Sequence, residues 1–315
     1  MSTEAPAIFA PRPGLLPRLA DRLLRRPRMF VFLMVLPITL WLGIVYVGAL
    51  IALLIQSFFS IDEFSGMVVR EFTLKTYGEL LRPANLDILL RTVVMAGAVT
   101  LAAAVMAFPI AYFAARYARG IWKALFYVGV MLPLWSSYLV KVYAWKLVLA
   151  KEGILNWIFA KLHLTWALDA FLGLPVIGGN SLSVSYAGTF LVFLYIWLPY
   201  MIMPLQAALV RVPPGLIEAA ADLGAHPGQS FRMIILPLAL PGMVAGSIFT
   251  FSLTLGDYIV PQIIGNSRLF LGQAVYLQHG TAGNIPLAAA FTVVPIVVMG
   301  LYLWGARRMG AFDAL

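Results

Sequence analysis

Long apolar runs, separated by short charged stretches, organise this chain. From Met29 to Ile61 there is no Asp, Glu, Lys or Arg. A helix rises about 1.5 Å per residue, so crossing roughly 30 Å of hydrocarbon takes about 20 mostly apolar residues. Six segments meet that requirement. The first lies within Met29 to Ile61, and the second is Thr92 to Ala115, bracketed by Arg91 and Arg116. The third runs from Ala124 to about Tyr143, the fourth from about Tyr186 to Val210, the fifth from about Leu236 to Leu255 and the sixth from about Leu287 to Ala306. The pattern predicts an all-α integral membrane protein with six transmembrane helices. Arg25, Arg26 and Arg28 precede the first run as the basic start of a signal peptide would. That run is too long for a signal's apolar core of about 7 to 15 residues and lacks a small-x-small exit, so it reads as a retained helix.

Composition strengthens this picture. Of 315 residues, 62% are hydrophobic and 11% charged, against roughly 25% charged in an ordinary soluble domain. Cysteine is absent, which removes disulfides, thiolate metal sites and a cysteine nucleophile. The formal charge of +9 does not point to nucleic acid, because the basic residues punctuate apolar runs rather than gather on a water-facing surface. They bear on orientation instead. The N-terminus, the loops after spans two and four, and the C-terminus together hold 13 Lys and Arg with five acids; the opposite side holds nine with eight. Cytoplasmic segments carry the excess of Lys and Arg, so both termini are expected in the cytoplasm. The expected organisation is a basic cytoplasmic segment at 1–28, a six-span domain at 29–306 with a cytoplasmic connection at 211–237, and a cytoplasmic tail at 307–315. In the long outer loop between spans three and four, Glu152 to Leu164 has amphipathic spacing. It is either a helix lying along the outer interface or a packed loop helix.

The connection between spans four and five reads Glu218-Ala219-Ala220-Ala221-Asp222-Leu223-Gly224, nine residues, then Ile234-Ile235-Leu236-Pro237. Two short helices with a break at Gly224 and Pro227-Gly228 are expected. Ile217, Ala220, Ala221 and Gly224 recur at i, i+3, i+4 and i+7, a small-residue face onto which another surface could close. This string resembles the EAA loop of ABC importer permeases: EAA, three residues, Gly, nine residues, Ile, one residue, Leu-Pro. Glu218, Ala219, Ala220, Gly224, Ile234, Leu236 and Pro237 fill all its defined positions. The resemblance implies a type I ABC importer permease fold in the bacterial inner membrane, with this loop as the helix that docks on a cytoplasmic ATPase. It further extends, from about Phe72 to Pro295, to permeases of the spermidine/putrescine type, carried by Phe72-Thr73-Leu74 with Tyr77, Leu132-Pro133-Leu134-Trp135, Tyr143-Ala144-Trp145 and Leu255 to Pro261.

No Gly-x-x-x-x-Gly-Lys-Ser/Thr string occurs, so the chain has no phosphate-cradling loop of its own. What the resemblance implies is an ATPase dimer that binds ATP and Mg, a second and homologous permease chain, a periplasmic or extracellular binding protein that delivers solute, and lipid around the spans. No cofactor is expected on this chain. The implied solute is a polyamine, with iron, opines, aminophosphonates or another small solute as alternatives, and a secondary transporter as the rival machine. An intramembrane protease is disfavoured: there is no His-Glu-x-x-His string, and His163, His226 and His279 all fall in loops.

Counting along straight helices gives candidate pathway residues near mid-membrane. From Lys123, Trp135 and Tyr138 lie roughly 18 and 22 Å up; from Arg211, Tyr200 and Trp197 roughly 16 and 21 Å; from Pro237, Ser247 and Thr250 roughly 15 and 20 Å. Trp135, Tyr138, Val142 and Trp145 would share one face of span three. Aromatic walls with hydroxyls suit an amine cation, each contact giving about 0.5 to 2 kcal/mol; the alternative is packing between helices. Tyr143 and Tyr258, within the flanking strings, are further candidates. Asp257 stands 20 residues beyond Pro237, near the outer mouth. There it either attracts a cation or caps the helix end.

Overall fold

The computed structural model describes residues 27–62, 64–175 and 177–308. The basic residues up to Arg26 and the tail from 309 lie outside the described residues. The chain forms two compact units, Met1–Ile55 and Gln56–Leu315.

In the first unit the described residues form a helical rod. It comprises α1 (Pro27–Trp41), a π-helical stretch (Leu42–Val47) and α2 (Gly48–Gln56), of which Gln56 is counted with the second unit. None of its described side chains is buried.

The second unit opens with a two-stranded hairpin, in which Ser60 of β1 (Ser60–Ile61) pairs antiparallel with Val69 of β2 (Val68–Val69). The Asp62 carboxylate closes the turn by accepting from the Ser65 hydroxyl at 2.7 Å. Next come α3 (Lys75–Leu80) and α4 (Pro83–Arg116). Span two thus begins well before the predicted Thr92. Pro83 at the first helical position, with φ already set and no N–H to leave unpaired, starts the helix outside the apolar run, and Asp87 pairs with Arg91 one turn on.

Span three departs most from expectation. It is not one helix but two, α5 (Ile121–Trp135) and α6 (Tyr138–Val148), bent by 95° at Ser136–Ser137. Pro133 supplies no N–H and strains the helix behind it. The Ser136 hydroxyl then donates to the Pro133 carbonyl at 2.9 Å, and the Lys141 ammonium donates to the same oxygen at 2.6 Å. The break is thereby satisfied within the chain, and Lys141 is occupied by it rather than reaching toward an interface. The face shared by Trp135 and Tyr138 disappears with the bend, and depth counted from Lys123 no longer applies to Tyr138.

Between spans three and four stand α7 (Ile154–Lys161) and α8 (Thr165–Leu172). Leu155 and Phe159 pack inward while Trp157 stays exposed beside the Lys161 ammonium. Span four is α9 (Tyr186–Arg211), the most buried of the spans. It is followed by α10 (Pro214–Asp222), α11 (Pro227–Ser230), a π-helical stretch (Phe231–Ile235) and span five, α12 (Leu236–Gly256). Gly242 and Gly246 bring α12 against α9: a Cβ on Gly246 would meet the Met201 Cα at 3.0 Å, and one on Gly242 the Leu205 Cα at 3.1 Å. Such a small-xxx-small pair lets helix backbones approach closely where burial from water supplies no drive between spans.

The unit closes with α13 (Ile259–Ile263), α14 (Leu271–Gly280) and span six, α15 (Ile285–Arg308). Arg91 and Thr92 tie the start of α14 to span two: the Arg91 guanidinium donates to the Leu269 carbonyl at 2.8 Å, and the Thr92 hydroxyl accepts from the Leu271 N–H at 2.9 Å. Among the described residues, five helices are long and apolar enough to cross a membrane, and six if the bent pair α5–α6 counts as one span.

Candidate functional site

Two places gather the residues singled out by sequence. The first is the connection after span four. α10 begins behind Pro213-Pro214, and the Arg116 guanidinium at the end of span two donates to the Val212 carbonyl at 2.9 Å, fixing where the connection leaves the bundle. It ends in a Schellman cap. Ala225 N–H bonds the Ala220 carbonyl and Gly224 N–H the Ala221 carbonyl, both at 2.9 Å, with Gly224 at φ +82°. That left-handed conformation is the one glycine adopts without Cβ strain, which gives the glycine of the motif a physical reason.

The expected small-residue docking face turns out to point partly inward. Ile217 packs against the core of spans two and four, and Ala220 is half-buried. The outward stripe is Leu216, Ala219 and Leu223, with Leu223 89% exposed, and Glu218 and Gly224 are exposed beside it. The second half is not a separate short helix followed by a span. α11, the π-helical stretch and α12 form one 30-residue apolar helix from Pro227 to Gly256. Ile234 and Leu236 are half-buried on it, Pro237 is exposed, and Ile235 is the residue that enters the core. Met233, 75% exposed, adds to the apolar surface near α10 in sequence.

The second place is a cavity of about 400 Å³ at the other end of α12, lined by Tyr138, Trp197, Leu253, Asp257, Tyr258 and Ile259 among others. Four predicted pathway residues meet here from three spans. Tyr138 and Trp197 stack with ring centroids 5.9 Å apart and planes 21° apart, and Tyr200 meets Trp197 edge-on at 5.7 Å. The Tyr138 hydroxyl donates to Asp257 Oδ2. Asp257 Oδ1 accepts from the backbone N–H groups of Ile259 at 2.7 Å and Val260 at 3.0 Å. The carboxylate therefore caps the start of α13, which follows span five. Lying just beyond that span, its carboxyl is pushed above the ordinary range by burial, opposed by the hydrogen bonds from Tyr138 and the two N–H groups. The buried indole N–H of Trp197 has no partner among the described residues.

The remaining candidates are elsewhere. Trp135, 81% exposed, sits at the end of α5 before the bend, and Tyr143 is exposed on α6. Ser247 and Thr250 are buried inside the bundle. The Ser247 hydroxyl donates to the Val244 carbonyl at 2.7 Å and accepts from Tyr302 at 2.6 Å, while that of Thr250 donates to the Gly246 carbonyl at 3.0 Å. Neither lines the cavity. Sequence reasoning did not find a second hollow of about 340 Å³, which shares Gly256 and Tyr258 with the first and adds Tyr276, His279 and Thr292. Tyr258 and Tyr276 stack there at 5.1 Å, with planes 7° apart. The usable signal was Gly256-Asp257, a helix end followed by a capping acid.

Residues 107–310, which include both places, match the family described as binding-protein-dependent transport system inner membrane component. The chain belongs to that family. It is a multi-pass permease subunit of an ABC importer for a small solute in the bacterial inner membrane. It is a transport component rather than an enzyme, and the ATPase is a separate subunit. The permease is 55% identical over 304 residues to the inner membrane ABC transporter permease protein YdcU of Escherichia coli (strain K12), covering 96% of this chain and 97% of that one. It is 32% identical over 259 residues to the spermidine/putrescine transport system permease protein PotB of Salmonella typhimurium (strain SL1344), covering 80% and 85%. A solved bacterial ABC transporter involved in the import of the acidic polysaccharide alginate shares the permease's fold, with a TM-score of 0.66 at 17% identity over 92% of this chain and 99% of that one.

Proposed function

We propose that this permease imports a polyamine, such as spermidine or putrescine, along a route that includes the Tyr138–Trp197–Asp257 cavity. The observation that carries the reading is one carboxylate set among stacked aromatic rings and apolar walls. A polyamine is an aliphatic chain ending in ammonium groups: its methylenes suit apolar walls, its charge suits a carboxylate and a π face. The PotB relative, named for spermidine and putrescine, supports the solute class. The YdcU relative is the more similar, and its name specifies no solute, which favours as second reading an importer of another small solute.

In the same account both termini are cytoplasmic, with a basic segment at 1–28, the spans within 29–306 and the tail at 307–315. The connection at 211–237 docks on a cytoplasmic ATPase dimer, where ATP and Mg²⁺ bind; this chain binds no cofactor. Glu218, Ala219, Ala220, Gly224, Ile234, Leu236 and Pro237 form or support the contact, with Leu216 and Leu223 as its apolar centre. A second, homologous permease completes the membrane pair, lipid surrounds the spans, and a periplasmic binding protein delivers the solute.

ATP hydrolysis by the complex purified with its native partners tests this. The binding protein is added loaded in turn with polyamine, ferric iron, aminophosphonate and a neutral solute. Stimulation by polyamine is expected. Stimulation by a different ligand keeps the machine and discards the polyamine.

A further inference from the structure

Asp257 uses its two oxygens differently. Oδ1 accepts from two backbone N–H groups, at 2.7 and 3.0 Å, and holds the bend between α12 and α13. A carboxylate oxygen offers about two acceptor positions, so Oδ1 is fully engaged. Oδ2 accepts from the Tyr138 hydroxyl, which arrives from the broken third span, and it retains an acceptor position. None of these three partners is cationic. A carboxylate at the end of a span, in an apolar-walled cavity, is costly unless a positive charge answers it.

We propose that Asp257 Oδ2, together with the Tyr138 hydroxyl, is the acceptor pair by which this permease selects solutes carrying an ammonium group, while Oδ1 serves the fold. The proposal rests on the cavity being part of the route, as argued above, and concerns the charge of the solute rather than its identity. An ammonium has three donors and no acceptor. It can donate to Oδ2 and to the Tyr138 oxygen at once, because that hydroxyl accepts with its free lone pairs while still donating to the carboxylate. The stacked Tyr138 and Trp197 rings add a π face beside the charge, and Leu253 and Ile259 offer apolar wall to a methylene chain. An anionic group would meet the carboxylate and be repelled. A neutral hydroxyl would gain only an ordinary hydrogen bond, weaker than the charge-assisted one.

The division of labour makes the charge separable from the fold. In Asp257→Asn the amide oxygen can replace Oδ1 and keep both backbone bonds, while an NH₂ group takes the Oδ2 position and the negative charge is gone. In Asp257→Ala the cap and the charge are both lost. The test measures uptake of labelled spermidine, putrescine, ethanolamine and a neutral sugar by cells making the whole transporter, together with the thermal stability of the assembled complex. The expected result is that both variants reduce uptake of every transported cation by on the order of ten- to a hundredfold, while only Asp257→Ala lowers the melting temperature. Near-normal cation uptake by Asp257→Asn, with only Asp257→Ala impaired, makes the residue a cap alone and overturns the proposal with the polyamine reading intact. Loss of ethanolamine uptake in Asp257→Asn, where the wild type imports ethanolamine and no polyamine, upholds the proposal and discards the polyamine. A wild type that imports no cation overturns both.

Discussion

The two ends of the long helix Pro227–Gly256 are built in opposite ways. At its start, beside α10, apolar side chains such as Leu223 and Met233 stand exposed. At its other end, the carboxylate of Asp257 is bonded through both oxygens to its own chain, and the aromatic rings around it are stacked on one another. The first end presents exposed apolar side chains, which the proposed docking would cover; the second is a hollow whose groups bond one another and leave one acceptor position of Asp257 Oδ2 open. A substitution at the first should therefore weaken assembly and leave the fold alone, and one at the second should alter passage and leave assembly alone.

Gly224→Ile should have the largest effect. Its left-handed φ of +82° is strained for a β-branched residue by about 1 to 2 kcal/mol, and an added Cβ meets no atom within 4 Å, so the remaining bulk stands in the space that the proposed docking gives to the ATPase. Co-purification of the ATPase should be lost and uptake fall by at least about tenfold, with membrane insertion unchanged. Gly224→Asn, which tolerates the left-handed conformation, should retain most of both. Failure of the isoleucine variant to insert would erase the contrast, since the loop would then be part of the fold.

Leu223→Ala comes next. Burying a leucine against a partner stabilises by about 1.5 to 3 kcal/mol, so ATPase affinity should drop roughly ten- to a hundredfold without a change in the permease's own melting temperature. Tyr138→Ala probes the other end. Losing the ring that stacks on Trp197, a pair contributing about 0.5 to 1.5 kcal/mol beyond its area, should lower uptake severalfold while the ATPase stays bound. Normal uptake in that variant would make the aromatic cluster simple helix packing. Ser247→Ala should do least: Tyr302 loses its 2.6 Å partner, for a stability loss of about 1 kcal/mol read as a shift in melting temperature.

The contrast also explains what could be read from the sequence. The 211–237 connection is contiguous, and its conformation follows from local rules: a proline pair to start α10 and Gly224 to cap it. Its motif residues were therefore legible one by one. Its rotation was not, because whether Ile217 or Leu216 faces inward is decided by the core of spans two and four. The apolar runs gave the spans, yet the 95° bend escaped. Its cause is the combination of Pro133 with Ser136 and a lysine eight residues on from the proline, and no window of hydropathy registers a carbonyl capped from within the chain. Counting residues up a helix gives height but not facing. Ser247 and Thr250 stand where polar groups would suit a passage, but a hydroxyl in a helix can bond its own preceding carbonyls and so be buried without water. Tyr138, Trp197 and Asp257 were individually visible, and only the packing of three spans made them one cavity.

Docking of the 211–237 connection on an ATPase inside the cell is open to a direct test. The chain contains no cysteine, so Leu223→Cys introduces a single thiol at a site 89% exposed. In membranes carrying the whole transporter, a short bifunctional thiol reagent should cross-link that residue to the ATPase subunit, and a membrane-impermeant thiol label added outside intact cells should not reach it. Labelling from outside, or free access from the inside with no cross-link to an ATPase, would contradict the account.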